Sequence, residues 1–231
     1  MDARFRDARA GTERLEPLGH VPRHRHREAY AAIVLAGGYE EAGDAGRWRV
    51  SSGQVLVHDR LEAHQDHVGA HGCTLVNVAL PAHPPIAGLF SIDDPDAVIR
   101  LAETDVPAAL SCLFLQARRA VPPLDDWPDL LARRLGEEGH FSIADWAEAM
   151  GLAAGSVSRG FRRAYGVSPR RYRLELRARR ALTMIDDDRL GLAAIAQECG
   201  FADQPHLTRT LSSVTGRTPG RWREARVKSV Q

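Results

Sequence analysis

Two residue types are concentrated in this chain of 231 residues, and each points to a chemistry. Eight of the ten histidines fall between residues 20 and 83: His20, His24, His26, His58, His64, His67, His71 and His83. In His24-Arg25-His26 both imidazoles share one face if the segment is extended, because side chains alternate along a strand. Glu28 and Tyr30 have the same parity. Such a set can bind a metal, answer to pH or an anion, or line a pocket through hydrogen bonds. The second concentration is arginine. From Arg159 to Arg180 there are nine arginines and one acid, Glu175. That density is expected of a surface facing phosphate, or more plainly of a solvated helix face.

The net charge of +1 conceals an asymmetry. Residues 126–231 hold 18 Lys and Arg against 13 Asp and Glu, while residues 1–125 hold 13 against 17. Cys73, Cys112 and Cys199 have no CxxC spacing, so neither a disulfide framework nor a zinc finger is indicated. No apolar run approaches the roughly 20 residues that span a bilayer. The opening stretch MDARFRDARAGTERLEP lacks the apolar core of a signal peptide. The expectation is a reduced, cytoplasmic protein without a membrane partner.

An internal repeat decides between the two readings of the arginines. IADWAEAMG (143–151) lies over LAAIAQECG (192–200) at an offset of 49 residues. One extra residue enters after Phe201. At an offset of 50, VSRGF (157–161) then lies over LTRTL (207–211), and SPRRYR (168–173) over TPGRWR (218–223). Each copy reads as helix, tight turn, helix. Ser142 and Asp145 resemble a capping box, and Ile143, Ala147 and Met150 make one apolar face. Leu192, Ile195, Ala196 and Cys199 repeat that stripe. Gly151 and Gly200 supply the residue that ends a helix at positive φ. In the second helices Val157 and Phe161, or Leu207 and Leu211, face inward. Ser158 and Arg159, or Thr208 and Arg209, are left for solvent or a partner. This is the helix-turn-helix pattern, written twice.

Between the copies, Pro169 opens a helix reaching about Ile185, with Leu174, Ala178 (or Leu182) and Ile185 as its stripe. At 1.5 Å per residue it is roughly 25 Å long. It can hold the two units near one DNA turn apart, roughly 34 Å. Asp203 is a good N-cap for the second reading helix, with Pro205 harmless in its first turn. The first reading helix looks weaker, with Ala153 at its cap. Gly155 and Gly160 each cost it about 1 kcal/mol.

The N-terminal half has a different texture. YAAIVLAG, WRVSSGQVLVHD and CTLVNVALP are short apolar runs broken by Gly, Asp and Ser. That spacing predicts an antiparallel β-sandwich or small barrel. AGGYEEAGDAGRW reads as hairpin connections, and SSGQVLVHD as a turn entering a strand. In residues 86–125 Val98, Leu101, Leu110, Leu113, Phe114 and Ala117 fall partly at helical spacing, interrupted by Pro107. VPPLDDWPD (121–129) reads as a linker extended by its prolines.

Residues 130–226 resemble the DNA-binding domain of the AraC/XylS family of transcription regulators. GFADQPHLTRTLSSVTGRTPGRWR is similar to that family's signature for its second helix-turn-helix, and FRRAYGVSPRRYRLELRARRAL matches the first half. The resemblance places base-reading side chains at Ser158, Arg159, Thr208 and Arg209. Arginine suits guanine O6/N7 through a bidentate pair. Arg162, Arg163, Arg170 and Arg171 become phosphate clamps, with His206 at a helix N-terminus beside a phosphate. An intradomain salt bridge is the alternative for Arg159 and Arg209. HRHREAYAAIVLAGG and SSGQVLVHDRLEAH resemble the two cupin motifs, the usual sensory half of such regulators. That likeness makes His24, His26, Tyr30 and His64 pocket residues. His24, His26 and His64 are its candidate ligands for Zn²⁺, Ni²⁺ or Fe²⁺. Tyr30 stands where the cupin glutamate belongs, and Glu28 is its possible substitute.

The expected architecture is α+β with two domains. An N-terminal cupin-like antiparallel β-barrel (1–85) is followed by a helical dimerisation and linker region (86–125). An all-α tandem helix-turn-helix domain (126–231) has its units near 142–163 and 190–213, joined by a long central helix. Leu110, Leu113, Phe114 and Ala117 are candidates for a dimer face or for intradomain core. The expected function is sequence-specific DNA binding controlled by a small molecule or ion, in a homodimer working with RNA polymerase, and not an enzyme. The alternatives are a cupin metalloenzyme with an accessory DNA domain, or a constitutive DNA binder whose barrel only dimerises.

Overall fold

The computed structural model describes residues 11–81, 84–120, 125–137, 141–186 and 190–229. His83 and the prolines of 121–124 lie outside these. The N-terminal half is one eight-stranded antiparallel sheet. Its strands are β1 (Gly11–Leu15), β2 (His20–Arg25), β3 (Tyr30–Gly43), β4 (Gly46–Ser51), β5 (Gln54–His58), β6 (Ala63–Ala79), β7 (Gly88–Ser91) and β8 (Arg118–Arg119). Its spine is the long pair β3–β6, in register from Tyr30 opposite Ala79 to Gly43 opposite His64. On either side the neighbours change halfway: β1 then β2 along β6, and β5 then β4 along β3.

Two register shifts interrupt this pair and bend the spine there. One has an extra residue in β3 between Val34 and Ala36, and the other has extra residues in β6 opposite Gly37 to Tyr39. Gly37 has φ +72, and a Cβ on it would stand 1.9 Å from the Gly72 carbonyl oxygen, so no other residue fits. The stretch expected to form several hairpin connections is therefore mostly strand. Only Asp44 and Ala45 turn, because β3 and β4 pair up to Gly43 opposite Gly46.

The sheet does not stop at residue 85. Strands β7 and β8 add to its edge beyond β5. Helices α1 (Pro95–Ala102) and α2 (Val106–Gln116) pack on it, with Val98 and Leu113 buried against Ile33, Val55, Val78 and Phe90. Leu110, Phe114 and Ala117 pack against the same core while staying partly buried. Pro107 opens α2 rather than interrupting it, behind the cap of Asp105.

The rest is helical: α3 (Trp127–Gly136), α4 (Ile143–Ala149), α5 (Ala154–Tyr165), α6 (Pro169–Asp186), α7 (Leu192–Glu198), α8 (Gln204–Thr215) and α9 (Pro219–Ser229). Trp127 to Asp129, read as linker, form the first turn of α3, where Asp126 and Asp129 make a capping box. The repeat is visible in the packing. Ala147 and Ala196, Val157 and Leu207, and Phe161 and Leu211 are buried pairs at equivalent sites. Gly151, Gly200, Gly166 and Gly216 all hold positive φ between +66 and +76. One member of the expected stripe departs: Met150 is 41% exposed, because it caps α4 instead of continuing it.

The two halves meet along α6. Leu61, at φ +62, is fully buried among Ala178, Leu182, Leu207 and Leu211. Ala42 enters the cluster of Leu131, Phe161, Tyr165 and Tyr172. Around these apolar contacts runs a chain of ion pairs. Arg23 joins Asp44 at 2.6 Å to Glu175 at 3.0 Å. Arg60 reaches Asp186 at 2.6 Å, and Arg179 reaches Asp59 at 2.8 Å and Glu62 at 3.3 Å.

Candidate nucleic-acid interface and histidine pocket

In the second helix-turn-helix, the Asp203 carboxylate accepts from the His206 backbone N–H at 2.6 Å and Pro205 sits in the first turn of α8. That amide is thereby engaged, and the His206 ring lies edge-on to Phe201 at 5.3 Å. Arg209 is exposed on the outer face, with Thr208 half-buried beside it. In the first unit Ala153 makes no side-chain cap for α5. Ser158 and Arg159 are both exposed, and the Arg159 guanidinium lies back over Gly155, 3.3 Å from where a Cβ would be.

Gly160 has a role that composition conceals. A Cβ there would stand 2.4 Å from Cζ2 of Trp127, so this glycine lets the α3 indole pack directly on α5. The residue expected only to weaken the helix is also the seat of a close approach. Arg162, Arg163 and Arg170 are exposed along the same side of the chain's charge run. Arg171 is not free for a phosphate in this arrangement. Its Nε donates to Glu175 at 2.7 Å and its Nη1 to Ser213 at 3.3 Å.

The first unit is also tied to the sheet. Asp129 of α3 is buried and accepts from Arg47 of β4 at 3.1 and 2.9 Å and from the Tyr165 hydroxyl of α5 at 2.8 Å. Gln65 donates to the Ala164 carbonyl at 2.9 Å, and the Tyr172 hydroxyl to the Gly43 carbonyl at 3.1 Å. Trp222, the twin of Tyr172, instead donates to Asp186 of α6 at 3.1 Å. One aromatic of the repeat thus holds the sheet, while the other stays within its own domain.

Inside the sheet the expected pocket residues come together. Nε2 of His24 lies 2.9 Å from Nε2 of His26 and 3.1 Å from Nε2 of His64, with the Tyr30 hydroxyl 3.5 Å from the latter. Glu28 is exposed, so it cannot replace the missing cupin carboxylate. Burial, helped by His58, His24 and His26, holds His64 well below the usual histidine range. These groups line a cavity of about 40 Å³. Several residues here were missed at the level of sequence. Glu41 and His58 face His64 from the other side, and Glu62 and Asp66 lie beside them. Burial, with the charges of Asp66 and Glu62, raises the Glu41 carboxyl well above its ordinary value. The register shifts conceal Glu41. It lies eleven residues after Tyr30, so strict alternation would put it on the opposite face, yet both line the same cavity. A larger half-open cleft of about 620 Å³ lies between the β3–β4 turn, α3, α6 and α7, with Arg47, Arg133, Arg173, Arg177 and Arg180 on its walls.

Two helix-turn-helix units in tandem, with equivalent exposed arginines on their second helices, define a DNA-binding module. Residues 146–225 match the family model described as a helix-turn-helix domain. Among curated proteins, the arabinose operon regulatory protein of Salmonella typhimurium is 29% identical over 86 residues, covering 37% of this chain and 31% of its own length. That of Escherichia coli is 26% identical over 105 residues, covering 44% and 36%. The chain thus spans about a third of the length of these relatives. Among solved structures, ToxT from Vibrio cholerae O395 is 10% identical, covering 93% of this chain and 96% of that one at a TM-score of 0.40. A transcriptional regulator with an AraC-type DNA-binding domain from Chromobacterium violaceum is 30% identical over 37% of this chain and 77% of its own, at a TM-score of 0.34. The helical half of the chain is thus similar to the helix-turn-helix domains of these regulatory proteins. The curated relatives it matches are regulatory proteins rather than enzymes. Among the described residues no helix is long and apolar enough to cross a membrane.

Proposed function

We propose that this protein is a cytoplasmic transcription regulator that reads double-stranded DNA through α5 and α8 and takes a small effector in its N-terminal sheet. The observation that carries the reading is the equivalence of Arg159 and Arg209. Both are exposed at the same position of a duplicated unit whose core is otherwise filled. Ser158 and Thr208 read beside them. Arg162, Arg163 and Arg170 position the backbone, with a smaller part for His206 and Arg171, which have protein partners. Helix α6 has 18 residues, about 27 Å at 1.5 Å each, which supports placing the two reading helices in successive major grooves.

The N-terminal half acts as the cupin-like sensor of this regulator, in a homodimer that engages RNA polymerase. Its cavity of about 40 Å³ favours an ion or waters, since organic ligands usually occupy roughly 300–1,000 Å³. The three Nε2 atoms of His24, His26 and His64 stand close to the roughly 3.3 Å that a tetrahedral site with 2.0–2.1 Å bonds requires. Their donor set fits Zn²⁺, Ni²⁺ or Fe²⁺, each acting there as a structural charge. A second reading, an organic anion as effector, is favoured by the size and the arginines of the cleft beside α6.

Selection from a random duplex library tests the DNA reading. Two half-sites about one turn apart are expected. Arg209→Ala should cost about 1–3 kcal/mol and relax preference at one base. Uniform weakening over all sequences would remove Arg209 from the reading set.

A further inference from the structure

The histidine pocket has a back wall that the cupin-like ligand set leaves unused. Glu41 on β3, His58 on β5 and His64 on β6 are all at least nine-tenths buried. Glu41 Oε2 lies 3.4 Å from His58 Nε2, and Glu41 Oε1 lies 3.7 Å from His64 Nδ1. Neither His58 Nε2 nor His64 Nδ1 makes a hydrogen bond, although both are cut off from water. One ligand atom from each residue falls within 4.8 Å of the other two. We infer that Glu41, His58 and His64 form a site for a divalent d-block cation, distinct from the His24–His26 side and bound through the other nitrogen of His64.

Three features of the chemistry support this. Two imidazoles and a carboxylate are a catalogue donor set for zinc-like ions, and the spacings approach the roughly 3.3 Å between ligands of a tetrahedral site. Glu41, Glu62 and Asp66 crowd three carboxyl groups into one buried region, which a cation would relieve. Most tellingly, the second nitrogen of His58 is already oriented. His58 Nδ1 lies 3.4 Å from Glu62 Oε2, the carboxylate–histidine pairing that fixes the tautomer of a metal ligand and raises its basicity.

Glu62 gives the site a route to the helical half. Its Oε1 lies 3.3 Å from Arg179 of α6, whose guanidinium also holds Asp59. An ion on His58 Nε2 strengthens the Nδ1–H donor to Glu62, and so holds the carboxylate that Arg179 grips. Occupancy thus favours the docked arrangement of sheet and α6. This rests on the effector part of the proposed function and adds a cation position behind the His24, His26 and His64 set, and it can be tested without DNA.

The test is titration of the purified full chain with Co²⁺ alone, followed by its visible absorption and by equilibrium dialysis for stoichiometry. The Co²⁺ equivalent retained by His24→Asn should be lost or weakened at least about 100-fold in Glu41→Gln and in His58→Gln. Glu62→Gln, which removes only the orienting carboxylate, should weaken it by about 10–100-fold. Metal-free thermal unfolding of each variant confirms that it is folded, and the isosteric Glu41→Gln and Glu62→Gln carry the test if His58→Gln is not. The inference is overturned if the wild type binds no Co²⁺, if Glu41→Gln titrates like the wild type, or if His24→Asn abolishes all binding. An unaltered stoichiometry in His24→Asn would instead remove only the front set of ligands, leaving this site standing.

Discussion

Helix α8 begins on Asp203, whose carboxylate accepts from the His206 amide, whereas α5 begins on Ala153, which offers its first turn nothing. At the equivalent site within each helix, α8 has the buried Thr210 and α5 has Gly160, pressed by the Trp127 ring. At the last turn of α5 the first unit meets the sheet through Tyr165–Asp129–Arg47 and Gln65–Ala164. The second unit shares a core with Leu61 and one hydrogen bond from Arg171 to Ser213. Two copies of one repeat have therefore been stabilised by different means. The second helix carries its own cap and packs on Leu61 from the sheet half, while the first lacks a cap and is tied to the sheet by hydrogen bonds and ion pairs. A helix held from outside is the one that a change in the outside half can loosen.

The largest effect is expected where that support is concentrated. Asp129→Ala leaves the Arg47 guanidinium and the Tyr165 hydroxyl without their buried partner and should cost about 3–5 kcal/mol in chemical denaturation. The analogous Asp203→Ala on the other unit removes only a cap and should cost about 1 kcal/mol. Comparable losses would erase the distinction between the units.

A smaller effect separates packing from propensity at Gly160. Helix propensity alone would have Gly160→Ala gain about 1 kcal/mol. The Cβ would instead meet Trp127 at 2.4 Å, so a net loss of about 1–3 kcal/mol is expected in thermal unfolding. The smallest effect is repair of the missing cap. Ala153→Ser should gain up to about 1 kcal/mol, and failure to gain would mean that the sheet already fixes the start of α5.

What was legible in the sequence was local. Gly151 and Gly200, Pro169 and Pro219, and the buried pairs of the repeat all act within a few residues of themselves, and they showed both helix-turn-helix units with the helix between them. Asp203 and Pro205 gave the start of α8 for the same reason. His24, His26, Tyr30 and His64 were picked out by their likeness to the cupin motifs, and the structure brings them together from β2, the residue after it, β3 and β6. Glu41 was not picked out, since the extra residue in β3 between Val34 and Ala36 shifts its face. His58 was visible only as one histidine among eight, and the pairing of β5 with β3 gives it meaning. The links across the halves were out of reach. Arg47 to Asp129 spans 82 residues and Arg23 to Glu175 spans 152, and neither ion pair leaves a periodic trace. The close approach at Gly160 likewise depends on Trp127, which read as linker.

The most direct measurement is hydrogen exchange on the full chain, followed peptide by peptide, for the wild type and Arg47→Ala. The ion pairs of Arg47 are with Glu40, Asp126 and Asp129, none of which lies on α8. Exchange at the α5 amides should quicken by about tenfold or more in the variant while α8 keeps its wild-type protection. Equal acceleration in both helices, or none in α5, would contradict the claim that polar links to the sheet hold α5 more than α8.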